Sequence, residues 1–391
     1  MTTPVTTRMI VLSPHFPALF LPFWTRLWES GVQVIGVADT PWDDLPQTLR
    51  DHLHAYWKVE DMHNLQEMEH ACQQLQKEHG EIHYIESLNE YWLETEAHLR
   101  SHLGVLGPNN DTIHRLKHKS HMQSIYQQAD IPVPAGHLLT HEDEGRKWLE
   151  QVGYPVVAKP DVGVGAAGTY LLDGPEAYAD FWLHKPDVAY FLQTFVSGDL
   201  YSFDGLVDHE GQVQFMACHR FNHGIMHIVN QNLDLQYYSL RDIPKTLMTL
   251  GQRTVKAFDL HSRFFHFEFF RQGEEQWVAL EVNMRPPGGW TVDMFNYASD
   301  TSVFDMYADV ILQKPLQHPT DRHFHVGYAG RKDKPYRHGS EGIKQMLGER
   351  LLKDAPIDPI FQTVLGQHGY MVRHPDLTQV QSDLALIQEQ N

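Results

Sequence analysis

Two glutamates stand in the stretch HFEFFRQGEEQWVALEVNMRPPGG, residues 266–289, where a half-buried β-hairpin would have to hide them. Glu268 interrupts an aromatic run and Glu281 lies in VALEV, with Asn283 and Arg285 following within four residues. Alternate residues of a strand share a face, so Trp277, Ala279, Glu281 and Asn283 are expected on one side. His266, Glu268 and Phe270 share a side of the preceding strand by the same rule. A hairpin centred between Glu274 and Glu275 sets position 268 opposite 281. Directly opposed residues have Cβ atoms about 4.5–5.5 Å apart. Two ionised carboxylates there repel, and one takes up a proton unless a cation sits between them. A hard divalent ion such as Mg²⁺ suits two carboxylates, an amide oxygen and phosphate oxygens. Beyond Asn283, Arg285-Pro-Pro-Gly-Gly offers a cation and open backbone where an anion would bind.

Other residues could serve phosphate chemistry. Lys159 ends a strand in GYPVVAKP and is followed by DVGVGAAGTY, with Gly163, Gly165 and Gly168 at G-x-G-x-x-G spacing. That glycine pattern alone is weak, and it runs into TYLL, a strand, rather than opening a helix as a dinucleotide fingerprint requires. A hairpin whose N–H groups close on phosphates fits better. The 27 histidines show no H-x-x-x-H pair with a third ligand, and only His266, on the expected face of Glu268, stands near the chemistry.

These residues need scaffolding, and the chain has the length for it. Its 391 residues suffice for two or three domains at roughly 100–200 residues each. Net charge is 31 − 50 = −19, which excludes a broad nucleic-acid or anionic-membrane surface, since both partners are polyanions. Two cysteines, Cys72 and Cys218, give no disulfide framework and fit a reducing, cytoplasmic setting. The apolar start is broken by Ser13-Pro14-His15 and Pro17, so no targeting or membrane segment is expected.

Residues 1–110 alternate strand and helix patterns: RMIVLS, LPFWTRLWES, VQVIGVAD, HNLQEMEHACQQLQKEH, IHYIES and EYWLETEAHLRSHL. That order implies a parallel, doubly wound, Rossmann-like sheet, although the turn after the first strand is SPHFP rather than a glycine fingerprint. One helix is expected over NNDTIHRLKHKSHMQSIYQQ, capped by Asn110 or Asp111. Strands then dominate: YPVVAKP, GTYLL, AYFLQTFV, LYSFDGLVD, QVQFMACHRF, FFHFEFF and WVALEVN, with a helix near KTLMTLGQRTVKAFDL. The tail, 321–391, offers one strand, FHVGYAG, and two amphipathic helices.

Glu268, twelve intervening residues, then Glu281-Val-Asn283-Met-Arg285-Pro-Pro-Gly-Gly resembles the metal-binding signature of the ATP-grasp superfamily. It is most similar to the branch of biotin carboxylase, carbamoyl phosphate synthetase and carboxylate–amine ligases, with supporting pieces over roughly residues 5–320. The resemblance implies a mixed α/β and α+β ATP-grasp fold with an N-terminal Rossmann-like (pre-ATP-grasp) domain. Four segments follow: 1–110; 111–200, including the small α+β lid; 201–320, the larger subdomain with the metal ligands; and 321–391, packed on the core.

The resemblance also implies roles. Glu268, Glu281 and Asn283 would hold Mg²⁺ or Mn²⁺. Lys119, Lys159 and the glycine loop would hold the phosphates of ATP, while Lys117 would face solvent. Gln193, Phe195 and Val196 fall at the hinge that reads adenine. An acidic residue in the following strand holds the ribose in this family, and here the chain departs from the pattern: Leu200 takes that position and Asp199 lies one place early. Arg285 would stabilise the charge developing on an acyl phosphate and the tetrahedral intermediate, and Arg220 would act on the transferred phosphoryl group or the substrate acid. The implied activity is an ATP-dependent carboxylate–amine ligase with small carboxylate and amine substrates, as monomer or homodimer. A bicarbonate-phosphorylating enzyme like biotin carboxylase or carbamoyl phosphate synthetase is the alternative, and a nucleotide sensor without catalysis the third.

Overall fold

The structure, a computed structural model, describes residues 6–163 and 168–391. Apolar runs near the N-terminus form four parallel strands, β1 (Arg8–Leu12), β2 (Gln33–Ala38), β3 (Ala55–Lys58) and β4 (Tyr84–Glu86), in the order β3-β2-β1-β4. β3 is absent from the sequence reading because AYWK is short and lies among polar residues. The chain crosses from β3 to β4 on the far side of β1, so a crevice opens at the carboxyl ends of β1 and β4, where such sheets bind ligands. The residues leaving those two strands, Ser13 (φ 50°) and Leu88 (φ 56°), hold left-handed backbone that non-glycine residues seldom adopt.

The single helix expected over residues 110–128 is two helices, Asn110–Lys117 and Lys119–Gln128, separated by extended His118. Neither Asn110 nor Asp111 caps the first; Asn109 does, accepting from the Thr112 amide at 3.0 Å. The break matters because it puts Lys119 at the start of a helix. A small antiparallel sheet follows, made of β5 (Gly136–Leu139), β6 (Val156–Pro160), β7 (Tyr170–Leu172) and β8 (Tyr190–Thr194), in the order β5-β8-β6-β7.

The largest element is an eight-stranded antiparallel sheet. Its strands are β9 (Asp199–Val207), β10 (Val213–Phe221), β11 (Gln236–Ser239), β12 (Arg263–Gln272), β13 (Gln276–Asn283), β14 (His325–Arg331), β15 (Leu351–Pro356) and β16 (His368–His374). The order is β13-β12-β9-β10-β11-β14-β16-β15. The tail therefore supplies three strands, not one; β15 and β16 carry Lys, Asp, Arg and His among their apolar residues, which hid the pattern. Helices Ser340–Leu347 and Leu377–Ile387 cover them.

Each face of this sheet has its own core. Phe265, Phe267 and Phe269 of β12 pack with Tyr201, Phe203, Cys218 and the helix Lys245–Ala257. On the other face Leu206, Phe215 and Phe264 pack against β1 and the helix Leu21–Glu29, fixing the N-terminal sheet to the large one. Among the described residues no helix is long and apolar enough to cross a membrane.

Candidate active site

β12 and β13 form the expected hairpin, and Glu268 is paired with Glu281. The route to that pairing differs from the simple count. Near the tip, Gln272 faces Gln276 and Phe269 faces Ala279; a bulge at Leu280 then advances the register by one, so Glu268 meets Glu281 and His266 meets Asn283. A bulge also shifts the alternation of faces. Trp277 and Ala279 share their core with Val282 and Met284, not with Glu281 and Asn283 as strict alternation required. Glu281 and Glu268 thus lie on the other face, in a row continued by Ser202 and His219. Their side chains are 17% and 18% exposed, open enough to meet a ligand.

Two lysines converge on this pair. Lys119 Nζ lies 3.8 Å from Glu281 Oε1 and donates to the Gly163 carbonyl at 3.0 Å. Its helix start is tied to the end of β6 by buried Asp161, which accepts from the Ser120 amide at 2.8 Å and Ser120 Oγ at 3.0 Å. His118 Nδ1 contacts the same carboxylate at 2.8 Å. Lys159, on β6, is buried, and burial pulls its ammonium down to about 8, while Glu281 acts in the opposite direction. Burial also pushes the Glu281 carboxyl up, Lys119 opposes this, and Glu268 reinforces it. Lys117, expected to face solvent, is instead only 12% exposed, because its ammonium turns to Glu94 at 3.1 Å. Gly163 (φ 147°) and Gly168 (φ 69°) bracket the loop with backbone that favours glycine. Gly165 lies outside the described residues.

At the hinge, Gln193 is buried in β8, and Phe195 is 41% exposed. The Phe195 amide donates to the Pro155 carbonyl at 3.1 Å, so it is not free to read a base edge. Among the described residues no hydrogen-bond partner is found for the Val196 backbone, which leaves it able to do so.

Arg220 and Asp199 are displaced from the roles expected of them. They pair with each other, Arg220 NH2 to Asp199 Oδ2 at 2.8 Å. By register Arg220 falls in the row of Tyr201 and Phe269, on the face opposite Glu268, and Asp199 is opposite Arg271 on that same far face. Leu200, opposite Phe270, occupies the near face, so the position that the resemblance assigns to a ribose-binding acid is apolar. The physical reason is the period of two: one residue in a strand reverses the face.

Arg285 leaves the hairpin on the Glu268 side, its NH1 donating to the Pro286 carbonyl at 3.0 Å and its Nε 3.4 Å from Glu90 Oε2. Glu90 was not singled out in the sequence, though its signal was there: an acid one residue after Asn89, just past a strand end. It sits beside the β1–β4 crevice, buried; among the described residues its Oε2 has no hydrogen-bond partner beyond the long approach of Arg285 Nε, and it adds to the charge that raises Glu281. Its loop is held by a buried ionic network. Arg263 NH2 bonds Glu86 at 3.0 Å while its NH1 reaches the Met284 carbonyl at 3.4 Å, next to Arg285. Arg100 bonds Glu86 at 3.1 Å and Glu96 at 2.7 Å.

The donor set fits a magnesium-type ion. Opposed Glu268 and Glu281, with the Glu281 charge disfavoured by burial, suit a hard cation, and Mg²⁺ characteristically takes one or two carboxylates plus substrate phosphates. Among the described residues no group of three or more His, Cys, Asp or Glu can hold a metal, so the nucleotide would complete the shell. That includes His114, His118 and His121, whose rings lie within 4.1–5.2 Å of one another.

No family profile matches the chain. It is 22% identical over 275 residues to the L-arginine-specific L-amino acid ligase of Bacillus subtilis, spanning 65% of this chain and 64% of that relative. The structure is similar to an L-amino acid ligase from Bacillus licheniformis, with TM-score 0.72 and 15% identity over 98% of this chain and 97% of that one. It is also similar to N5-carboxyaminoimidazole synthetase from Staphylococcus aureus complexed with ADP, with TM-score 0.71 and 15% identity over 98% of both chains. The fold is the ATP-grasp fold, with a Rossmann-like sheet ahead of it, as the hairpin signature implied.

Proposed function

We propose that the chain is an ATP-dependent carboxylate–amine ligase acting through an acyl phosphate on amino-acid-like substrates in the cytoplasm. One observation carries this reading: the paired Glu268 and Glu281, two lysines and the Arg285–Glu90 contact converge where all three sheets meet. Lys119, Lys159 and the Gly163–Gly168 loop hold the phosphates, and the Val196 backbone meets the base. Glu268, Glu281 and Asn283 would hold Mg²⁺, which would supply neutralisation of phosphate charge. The chain's own task is to place a carboxylate oxygen in line with the γ-phosphorus and keep water out. That oxygen bonds to phosphorus as ADP leaves. The amine nitrogen then attacks the acyl carbon, phosphate departs, and Arg285 stabilises the oxyanion between those steps.

Glu90 favours amino acids over bicarbonate. A buried carboxylate whose Oε2 has only the 3.4 Å approach of Arg285 beside it can still accept from an ammonium group, and bicarbonate has none to offer. Candidate amino acids supplied in pairs with MgATP test this, read by phosphate release, with hydroxylamine trapping the activated acid as a hydroxamate. Bicarbonate-dependent release with no response to amino acids would favour the biotin carboxylase-like alternative. Nucleotide binding without metal-dependent turnover would favour a sensor.

A further inference from the structure

Below the glutamate pair lies a second set of polar groups that phosphate binding does not use. Asp204 is completely buried in β9. Its Oδ2 accepts from Ser202 Oγ at 2.6 Å and contacts His219 Nδ1 at 2.9 Å. Its Oδ1 meets His266 Nδ1 at 2.5 Å, and the other nitrogen of that ring, Nε2, lies 3.4 Å from Glu268 Oε1. Register puts Asp204, His266 and Asn283 in one row and Ser202, Glu268 and Glu281 in the next on the same face.

We infer that His266, held by Asp204, which Ser202 and His219 fix in turn, is a positioning residue that sets the orientation of Glu268 for the divalent cation. The inference rests on the reading of Glu268 as a metal ligand. Burying an aspartate and two histidines is costly, and well-packed apolar residues commonly serve a core at least as well. This chain of groups ends on a partly exposed glutamate at the mouth of the site rather than closing on itself. With both ring nitrogens facing carboxylates, the imidazole is held in one orientation, and Glu268 Oε1 is engaged by its Nε2. Partners of ligating carboxylates act in this way, and losing one typically lowers metal affinity about 10–100-fold.

The test is Mg²⁺ titration of the ADP-induced rise in melting temperature, with Mn²⁺ binding in the presence of ADP read by electron paramagnetic resonance. His266→Leu is expected to need about 10–100-fold more metal, while ADP binding without metal stays as in the parent. His266→Gln, which keeps a donor and the shape of the site, should recover part of the loss. Asp204→Asn, which touches neither Glu268 nor the cation, should weaken metal binding in the same direction. Parental metal dependence in folded His266→Gln and Asp204→Asn, with loss in Glu268→Gln, overturns the positioning role alone. Parental metal dependence in Glu268→Gln as well overturns the metal assignment and the positioning role together.

Discussion

The Lys119 ammonium stands 3.8 Å from the Glu281 carboxylate while donating to the Gly163 carbonyl. One side chain thus touches both the entry of the glycine loop and the acid opposite Glu268. It partly offsets the charge that a cation would neutralise. Replacing either buried lysine, Lys119→Ala or Lys159→Ala, should shrink the rise in melting temperature given by MgATP. Each tenfold of lost affinity removes about 1.4 kcal/mol of ligand stabilisation. Lys117→Ala, which breaks only a contact with exposed Glu94, should leave that rise intact. Equal losses in all three variants would contradict the assignment.

Proton exchange should report Lys159 directly. Its folded value of about 8 lies below the ordinary 10.5, because burial disfavours the ammonium. Phosphate favours the charged form, so nucleotide binding above about pH 8 should take up a proton, and affinity should fall as pH rises through that value. Calorimetry in two buffers of different ionisation enthalpy measures the uptake, and Lys159→Ala should abolish it. For the unliganded protein the unfolded chain holds the extra proton between about 8 and 10.5, so this group makes stability rise with pH across that window.

Glu281→Gln and Asn283→Ala should each remove metal-dependent turnover by at least about 100-fold, the upper end seen for perturbed metal sites. The unliganded Glu281→Gln protein should melt no lower than the parent, since the change relieves a carboxyl disfavoured by burial and by Glu268. Retained activity at saturating Mg²⁺ in both variants would remove these residues from the metal site.

Arg220→Ala should cost turnover far less than Arg285→Ala, because Arg220 is bound to Asp199 on the far face of the sheet. The apolar Leu200 on the near face carries a related expectation. A hydrogen bond to a charged acceptor contributes about 1.5–3 kcal/mol; without one, 2′-deoxy-ATP should serve within about tenfold of ATP, equivalent to 1.4 kcal/mol. Steady-state kcat/KM for the two nucleotides decides it.

Much of this was legible because local pattern and site chemistry coincide. Alternating strands and helices foretold the parallel sheet, and the spacing from Glu268 to Asn283 foretold a carboxylate pair. Less was legible where tertiary context decides. The break at His118 is held by the Asp161 cap on Ser120, which comes from just past β6, 41 residues on, where local pattern cannot reach. Asp204 and His219 looked like ordinary strand residues until register placed them beneath Glu268. Glu90 gained meaning only when the β1–β4 crevice met Arg285.

The Leu280 bulge bears on how such sites are recognised at all. A regular hairpin with the same three-residue tip would bring its two acids together with one residue fewer between them than the twelve found here. Linear distance along the chain is therefore a by-product of tip length and bulge, and the quantity that chemistry holds constant is which residues stand across from each other. A shortened relative lacking Leu280 would keep Glu268 facing the same glutamate, on the same side of the sheet, while failing any search that insists on the count.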